Sequence, residues 1–404
     1  MKILYIGGLY PEELLPYFNR HLKKCRLQDA ANVYQYAVLE GLVENRADFY
    51  TLSFPFLPCY PHNFARIRIP EAEIKYDERT VGKSVSYSSL VLYKPYSIKR
   101  NLKHHFQEWV RKNIKDDERF TVLTYSYEYF FIEPLIALKK KFPNMQIASI
   151  ITDLNDDASS FGSNRSLLKQ IQMAMVRRRV RDCIKGIDKF ILLTRFMAEL
   201  IPGAADKSIV IEGIYRNSDN VSADRKIPKS LLYTGTFQEF AGVCLLVNAF
   251  MRTTDPEFSL ILCGSGPCSG YIAECAKIDS RIKLLGRVDR DEAVRMQKSV
   301  AMLINPRQPN GGITRYSFPS KTMEYMSSGT PMIGYRLEGI PDEYFEYMYV
   351  PDDLTEEALA RTIDQVLTLQ EDALALKGVS ARKFILKNKT AKVQLEKLID
   401  FIEK

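Results

Sequence analysis

Short apolar runs alternate with helix-like patterns along nearly the whole of this 404-residue chain. Such alternation is typical of parallel sheets covered by helices. We predict strands at Lys2–Ile6, Asp48–Leu52, Ser89–Tyr93, Thr121–Tyr125, Ile147–Ile151, Lys189–Leu193, Leu231–Tyr233, Phe258–Cys263, Arg281–Leu285, Val300–Ile304 and Pro331–Tyr335. We predict helices at Ala30–Glu44, Leu102–Lys115, Phe130–Lys141, Arg165–Lys185, Phe240–Met251, Ser269–Lys277, Arg290–Lys298, Pro319–Ser328, Glu356–Leu369 and Thr390–Glu403.

A polar segment, Asn217–Lys229, interrupts the alternation and predicts a linker between two domains. We therefore expect a doubly wound domain over 1–215, a linker over 216–229 and a second doubly wound domain over 230–388. Two such domains place a cleft between two sets of strand ends. Residues 53–88 are rich in Pro, Tyr and charge, which predicts a long loop.

Composition excludes several classes of protein. The chain is 46% hydrophobic with net charge +8, which is ordinary for a globular protein and too mild to indicate nucleic acid. We find no run of about 20 apolar residues, and the first residues predict a buried strand and not a signal peptide. Seven scattered cysteines favour a reducing cytoplasm, and the four histidines show no zinc spacing.

The stretch 311–331 predicts a glycine-containing loop, a short helix and a strand. Ser317 can cap this helix, Pro319 suits its first turn, and Gly329 suits a left-handed stop. The free amides and the dipole of a helix start favour an anion. Lys321 and Glu324 lie on one polar stripe with Ser317, an arrangement that suits a sugar nucleotide: amides and lysine for the diphosphate, carboxylate for the ribose.

This stretch resembles the donor-site segment of GT-B glycosyltransferases of family 4, the group 1 glycosyl transferases. Glu324, Gly329 and Pro331 match the second half of the family pattern, whereas Tyr316 stands where the family has an earlier Glu. The variant at Phe318–Tyr325 is similar to members that build exopolysaccharides and other surface glycans. The resemblance implies the GT-B architecture, two Rossmann-like domains facing each other across a cleft, with the last helix, 389–404, crossing back to the first domain.

A second block, Leu231–Phe250, resembles the family's phosphate-binding segment. Gly235 and Gly242 match, but Thr236 and Ala241 replace the Arg and Lys that in the family hold the diphosphate. Losing both cations would remove a large electrostatic contribution to catalysis. Our hypothesis is that Lys321 and one of two nearby arginines, Arg307 or Arg315, take over that role.

Several weaker signals follow other strands. The Gly264–Gly266 turn resembles the family's Gly-x-Gly-Pro, and Arg287 and Val288 fall where relatives hold the nucleobase. In the first half, Gly8 follows the first strand, Glu128 is the nearest polar group where the family often has His, and Asp153 is placed to hydrogen-bond a sugar hydroxyl. We interpret Asp156 and Asp157 as loop acids and not as metal ligands. The arginines Arg177, Arg178, Arg179 and Arg181 form a basic helix face, for which a solvated surface and peripheral contact with anionic lipid both stay open.

The resemblance implies a retaining, metal-independent hexosyltransferase that uses a nucleoside diphosphate sugar as co-substrate, with no other cofactor. A glycan or lipid-linked acceptor, surface glycan synthesis and a cytoplasmic or inner-membrane-face location are the matching expectations. The catalytic candidates are Lys321, Arg315 and Asp153, and the donor-binding candidates are Gly8, Gly235, Thr236, Gly264, Arg287, Val288, Arg307, Tyr316, Ser317, Phe318, Ser320 and Glu324. A non-catalytic GT-B subunit that binds a glycan or partner is the main alternative, followed by an epimerase or phosphorylase; a nicotinamide enzyme is the weakest option.

Overall fold

Parallel strands form the centre of both units of the protein. The computed structural model describes residues 1–154, 167–216, 226–310 and 312–404. Residues 1–214 and 391–404 form unit 1, and residues 215–390 form unit 2. Within the described residues, every helix is too short or too polar to cross a membrane.

The strands of unit 1 are β1 Lys2–Gly7, β2 Asp48–Ser53, β3 Arg68–Ile69, β4 Ala72–Tyr76, β5 Arg79–Ser84, β6 Tyr87–Ser88, β7 Phe120–Tyr125, β8 Met145–Ile151, β9 Lys189–Leu192 and β10 Ser208–Val210. Eight of them form one sheet with the order β10-β9-β8-β7-β1-β2-β5-β4. All neighbouring strands in it are parallel except β4 and β5, which form an antiparallel hairpin at one edge. The helices of unit 1 are α1 Leu15–His21, α2 Asp29–Glu44, α3 Lys94–Asn113, α4 Tyr129–Lys139, α5 Leu167–Ile184, α6 Met197–Leu200 and, from the end of the chain, α13 Ala391–Glu403.

Two predictions for residues 53–93 are wrong. The stretch expected to be a long loop carries four strands, of which β4 and β5 extend the main sheet and β3 and β6 pair with each other. The strand expected at Ser89–Tyr93 is irregular, and α3 begins directly after it at Lys94. Strand pairing supplied by distant residues gives order that local composition does not reveal.

The strands of unit 2 are β11 Ile227–Thr236, β12 Ser259–Ser265, β13 Ile282–Gly286, β14 Val300–Asn305 and β15 Met332–Gly334. They form a parallel sheet with the order β13-β12-β11-β14-β15. The helices of unit 2 are α7 Val243–Met251, α8 Ser269–Ile278, α9 Arg290–Ser299, α10 Ser320–Ser328, α11 Glu356–Leu367 and α12 Glu371–Asn388. Strand β11 begins inside the stretch predicted as a linker, of which 217–225 lie outside the described residues. Helix α12 was not predicted.

The core of unit 2 fixes the ends of its strands. Leu231, Leu262 and Ile304 are fully buried on the three central strands. Because these strands run parallel, their carboxyl ends at Thr236, Ser265 and Asn305 lie at one edge of the sheet, where open α/β sheets bind ligands.

Helix α13 is part of the core of unit 1. It packs on α2 at Gly41, where a Cβ would lie 2.4 Å from the carbonyl oxygen of Ala391 and 2.6 Å from Cγ of Leu395. A hydrogen bond also holds the start of α13, because Gln394 Nε2 donates to the carbonyl oxygen of Gly213 at 2.8 Å. The helix therefore closes the same hydrophobic cluster that contains Leu39 and Leu42.

We expect Leu395→Ala to lower the free energy of unfolding by about 2–5 kcal/mol, because Leu395 is fully buried and its removal leaves a cavity. Chemical denaturation followed by circular dichroism measures the change. Leu376→Ala is the matched control, since that leucine lies on α12 with 69% of its surface exposed. Equal stability of the two variants would contradict the packing described here.

Candidate donor-binding site

Helix α10 begins at Ser320 and ends at Ser328, close to its predicted bounds. Gly329 ends it in the left-handed conformation with φ +80°, which the sequence predicted. The predicted cap is wrong: Pro319 occupies the N-cap position, and the Ser317 hydroxyl donates instead to the carbonyl oxygen of Ile313 at 2.7 Å. Ser317 thus stabilises the preceding loop, and the first amides of α10 receive no side-chain cap.

A polar cluster joins α10 to β11 and α9. Lys321 Nζ donates to Glu324 Oε1 at 3.0 Å and to Thr234 Oγ1 at 3.3 Å. Gln297 Nε2 donates to Glu324 Oε1 at 2.6 Å and to Thr234 Oγ1 at 3.2 Å. Lys321 and Glu324 remain about one-third exposed, so the pair is accessible to a ligand while Thr234 and Gln297 are buried.

Tyr325 fixes this helix to the strand beside it. The Tyr325 hydroxyl accepts from the amide of Thr234 at 2.9 Å and donates to the carbonyl oxygen of Thr234 at 3.1 Å. The side chain is fully buried, and that burial strongly raises the pKa of Tyr325, so the hydroxyl stays protonated. The register between α10 and β11, and with it the position of Lys321, is therefore rigid.

Arg307 follows β14 and lies beside the start of α7. A Cβ on Gly242 would lie 2.1 Å from the carbonyl oxygen of Pro306 and 3.3 Å from the amide nitrogen of Arg307, so the two loops touch. Burial lowers the pKa of Arg307, with no contribution from a nearby acid, and its Nε is buried without a hydrogen bond. Among the described residues, this guanidinium has no counter-ion.

The loop between Asn310 and Pro319 is closed by its own polar contacts. The amide of Thr314 donates to Asn310 Oδ1 at 3.2 Å, and its hydroxyl donates to Glu338 Oε2 at 3.2 Å. Arg315 and Tyr316 are half-buried in this loop, whereas Ser320 is exposed at the start of α10. Phe318 is buried with its ring 5.5 Å from that of Tyr344, so it packs beneath the loop.

Close backbone contact requires glycine at the ends of β11 and β12. Gly264 has φ +155°, and a Cβ there would lie 1.8 Å from the carbonyl oxygen of Gly235. Arg287 reaches this turn, where its Nε donates to Ser265 Oγ at 2.5 Å. Thr236 and Arg287 are exposed and Val288 is half-buried. The structure thus brings these predicted residues to one edge of the unit 2 sheet.

In unit 1, Gly8 and Asp153 follow β1 and β8. The Gly8 amide donates to Gln35 Oε1 at 2.8 Å, and a Cβ on Gly8 would lie 2.3 Å from the Phe56 ring. Asp153 is exposed next to Thr152, which donates to the Tyr125 hydroxyl at 3.1 Å. Asp156 and Asp157 lie outside the described residues.

Glu128 and Lys94 are two ionisable groups of unit 1 in a sheltered environment. Burial raises the pKa of Glu128, and the nearby Lys94 partly offsets this shift. Burial likewise lowers the pKa of Lys94, whose Nζ donates to the carbonyl oxygen of Leu57 at 2.6 Å. Glu128 directly precedes α4, and a sheltered carboxyl beside a strand end suits hydrogen bonding to a hydroxyl.

The histidines come closer to a metal site than the sequence predicted. His104, His105 and Glu108 on α3 place one ligand atom each within 4.8 Å of the others, and His105 Nδ1 lies 3.0 Å from Glu108 Oε2. Burial, followed by the charge of Lys83, lowers the pKa of His105. The group lies on α3 of unit 1, whereas the donor-binding cluster lies in unit 2, so we assign it no part in that site.

Known proteins resemble this chain in part of its sequence and in its fold. Residues 228–369 match the family model "Glycosyl transferases group 1", and no curated protein matches the chain. Among solved structures, sucrose-phosphate synthase from Thermosynechococcus elongatus is 16% identical with a TM-score of 0.60, over 100% of this chain and 99% of that one. The apo form of lipopolysaccharide outer core galactosyltransferase WaaB is 15% identical with a TM-score of 0.57, over 100% and 99%. S. aureus TarM, in a complex with fondaparinux, alpha-GlcNAc-glycerol and UDP, is 10% identical with a TM-score of 0.58, over 100% of both chains.

At these identities the structural likeness shows the fold, which confirms the prediction made from the sequence. The family match covers β11 to α11, the part of unit 2 that carries the Lys321–Glu324 pair, Arg307 and the glycine turns. The chain therefore has the GT-B fold, and residues 228–369 of its unit 2 match the group 1 glycosyltransferases.

Proposed function

We propose that this protein transfers a sugar from a nucleoside diphosphate sugar to a hydroxyl acceptor, with retention of configuration and without a metal. The observation that carries the proposal is Arg307, a guanidinium without a counter-ion among the described residues, at the same sheet edge as the one-third-exposed Lys321–Glu324 pair. A half-buried cation favours an anionic partner, and a diphosphate supplies two phosphate groups. The solved TarM complex holds UDP, which supports a nucleotide of this class as the ligand.

When the donor binds, its ribose contacts Glu324 and its diphosphate contacts Lys321. In the free protein Glu324 accepts from Lys321 and from Gln297, which holds the carboxylate in place. Ribose hydroxyls then donate to Glu324, while Lys321 turns its ammonium to the diphosphate. Neither group has to be assembled on binding, so little ordering cost is expected.

Arg307 takes the place of two family cations, at whose positions this chain has Thr236 and Ala241. Gly242, next to Ala241, touches the Pro306–Arg307 backbone, so the Arg307 side chain starts near the position from which a lysine at residue 241 would reach the phosphate. A guanidinium binds two phosphate oxygens at once, which a single ammonium does not. One arginine can therefore replace much of what two separate cations provide.

In the reaction, the acceptor hydroxyl oxygen bonds to the anomeric carbon and gives its proton to the departing diphosphate. The bond between the anomeric carbon and the diphosphate breaks, and negative charge grows on the leaving oxygen. Arg307, Lys321 and Arg315, with the uncapped amides at the start of α10, stabilise that charge. We assign to Asp153 and Glu128 of unit 1 the binding of sugar or acceptor hydroxyls. Tyr316, where relatives carry an acid, sets the choice of donor sugar. The Phe318–Tyr325 variant favours a surface glycan or exopolysaccharide as product.

Titration with UDP, GDP and dTDP in a thermal-shift assay tests the proposal. We expect one of the three nucleotides to raise the unfolding temperature. Lys321→Ala should lower the affinity for that nucleotide by roughly 10- to 150-fold, because one charge-assisted hydrogen bond is lost. Lys277→Ala is the matched control, since Lys277 pairs with Glu274 at the same i, i+3 spacing on an exposed helix face. Full affinity in Lys321→Ala would contradict the role given to Lys321.

The main alternative is a subunit that binds a glycan or partner without catalysis. Thr236, Ala241 and Tyr316 favour it, because each replaces a charged family residue. The absence of a shift with any of the three nucleotides supports the alternative. Release of the free nucleoside diphosphate from the matching nucleoside diphosphate sugar, with transfer or hydrolysis of the sugar, excludes it.

A further inference from the structure

Two segments of unit 1 contain basic and apolar residues but no acid. Residues 54–70 and 85–107 hold no Asp or Glu, although the whole chain has 49 of them. The same segments hold six cations, namely Arg66, Arg68, Lys94, Lys99, Arg100 and Lys103. Lys94 is sheltered near Glu128 and Lys99 pairs with Glu133, whereas the other four are exposed. These four exposed cations create a positive field that attracts an anionic surface.

The fold joins these segments into one surface. Strands β3 and β6 pair at Arg68 and Ser88, and the Ser89 amide donates to the carbonyl oxygen of Ile67 at 2.7 Å. A further bridge links Tyr60 to Leu90. Residues distant in sequence are thereby held side by side.

Large apolar side chains project from this surface into solvent. Leu92 is 88% exposed and Tyr96 is 58% exposed. Their exposed apolar or aromatic neighbours are Ile67, Leu90, Val91 and Tyr93. We call these six residues the apolar tip. Single exposed apolar residues are ordinary, but a contiguous group of six marks an interaction site.

The apolar tip is held firmly by contacts below it. Lys94 Nζ donates to the carbonyl oxygen of Leu57, and the Ser88 amide donates to Ser97 Oγ at 3.0 Å. The rings of Tyr93 and Tyr96 lie 5.3 Å apart. Its exposure is therefore built into the fold.

The basic face of α5 adjoins this surface through Tyr129. Lys99 Nζ lies 4.9 Å from the centre of the Tyr129 ring, and the Arg179 guanidinium lies 5.6 Å from it. Both cations also pair with Glu133, so they are partly neutralised. Arg177, Arg178 and Arg181, with the exposed Met175, extend the positive field beyond them.

We propose that the apolar tip and its surrounding cations dock unit 1 on an anionic membrane surface. Leu90, Val91 and Leu92 enter the boundary between headgroups and acyl chains, while Tyr93 and Tyr96 lie at headgroup level, where tyrosine is favoured. Arg66, Arg68 and Arg100 bind lipid phosphates. We favour a lipid surface over a protein partner, because exposed apolar side chains and diffuse positive charge occur together. A membrane matches both without having to fit a surface of defined shape. This proposal is independent of the transferase activity.

Vesicle co-sedimentation with the full-length chain tests the proposal. We expect binding to phosphatidylcholine vesicles that contain about one-third phosphatidylglycerol, and much weaker binding to pure phosphatidylcholine. Val91→Ser/Leu92→Ser should lower the partition coefficient by roughly tenfold or more, because buried acyl-chain contacts are lost. Arg66→Gln/Arg68→Gln should weaken binding and reduce its salt dependence.

The matched control is Ile278→Ser/Leu369→Ser, which removes two exposed apolar residues from unit 2. It should bind vesicles as the natural chain does. Circular dichroism and unfolding temperature establish that each variant is folded. Equal binding of the Val91→Ser/Leu92→Ser variant and the natural chain, equal binding to both vesicle types, or no vesicle binding at all would overturn the proposal. Self-association through the apolar tip without vesicle binding would point to a second copy of the chain and would overturn it too.

Discussion

Replacing Arg307 with methionine should reduce turnover of the nucleoside diphosphate sugar by roughly two to three orders of magnitude, the effect of removing one preorganised group that stabilises developing charge. The same change should leave the unfolding temperature unchanged or higher. Burial lowers the pKa of Arg307 because the folded protein disfavours its charge, and no acid compensates it among the described residues. A neutral side chain of similar length relieves that cost when no ligand is bound.

Two further variants make this prediction specific. Arg307→Lys keeps the charge but loses the two-pronged contact, so its turnover should fall between the natural chain and Arg307→Met. Arg290→Met, at the exposed start of α9, should change neither turnover nor stability. Steady-state kinetics with the donor identified by titration, together with a thermal melt, measures both properties. Natural turnover in Arg307→Met, or a large fall in its unfolding temperature, would contradict the assignment.

Gly242→Ala should destabilise unit 2 by roughly 3 kcal/mol or more and should also impair turnover. The residue has φ +78°, and a Cβ would lie 2.1 Å from the carbonyl oxygen of Pro306. Backbone strain contributes about 1–2 kcal/mol, and overpacking adds about 1–3 kcal/mol. For a unit of this size the expected fall in unfolding temperature is about 6–12 °C. Turnover suffers because relief of the clash moves Arg307.

Gly286→Ala separates the two causes. Gly286 lies in the same unit with φ +71°, but the space around its Cβ is empty. Gly286→Ala should therefore lower the free energy of unfolding by the backbone strain alone, about 1–2 kcal/mol. Scanning calorimetry of the three proteins gives the comparison. Equal destabilisation by both substitutions would mean that contact with the Pro306–Arg307 backbone does not constrain residue 242.

The sequence allowed most of unit 2 to be predicted, since its strands and most of its helices have regular patterns and clear ends. Helix α10 was predicted within one residue because a proline precedes it and Gly329 follows it. The edge hairpin β4–β5 was missed, because its order comes from pairing with β2 and not from local composition. Helix α12 was missed because its apolar residues show only weak periodicity along the helix.

The candidate site was predicted as a set of charges but not as a set of contacts. Lys321, Glu324 and Arg307 carry a chemical signal in their residue types. Thr234 and Gln297 do not, because a buried threonine and a buried glutamine are ordinary until they are seen to bind a lysine–glutamate pair. The cap by Ser317 failed for a different reason: the hydroxyl donates to a nearer acceptor within its own loop. Contacts across the fold determine the first outcome, and a local contact determines the second.

Because α13 belongs to unit 1, unit 2 is an insertion between two parts of a single folded body. The ribosome makes residues 391–404 after all of unit 2, so unit 2 can fold while the hydrophobic surface of α2 is not yet covered by α13. Nascent unit 1 is therefore exposed to aggregation and to chaperones for the whole time that unit 2 takes to synthesise. For the same reason, residues 215–390 are a candidate for production as an independent fragment. Residues 1–214 alone lack α13, which is part of their hydrophobic core.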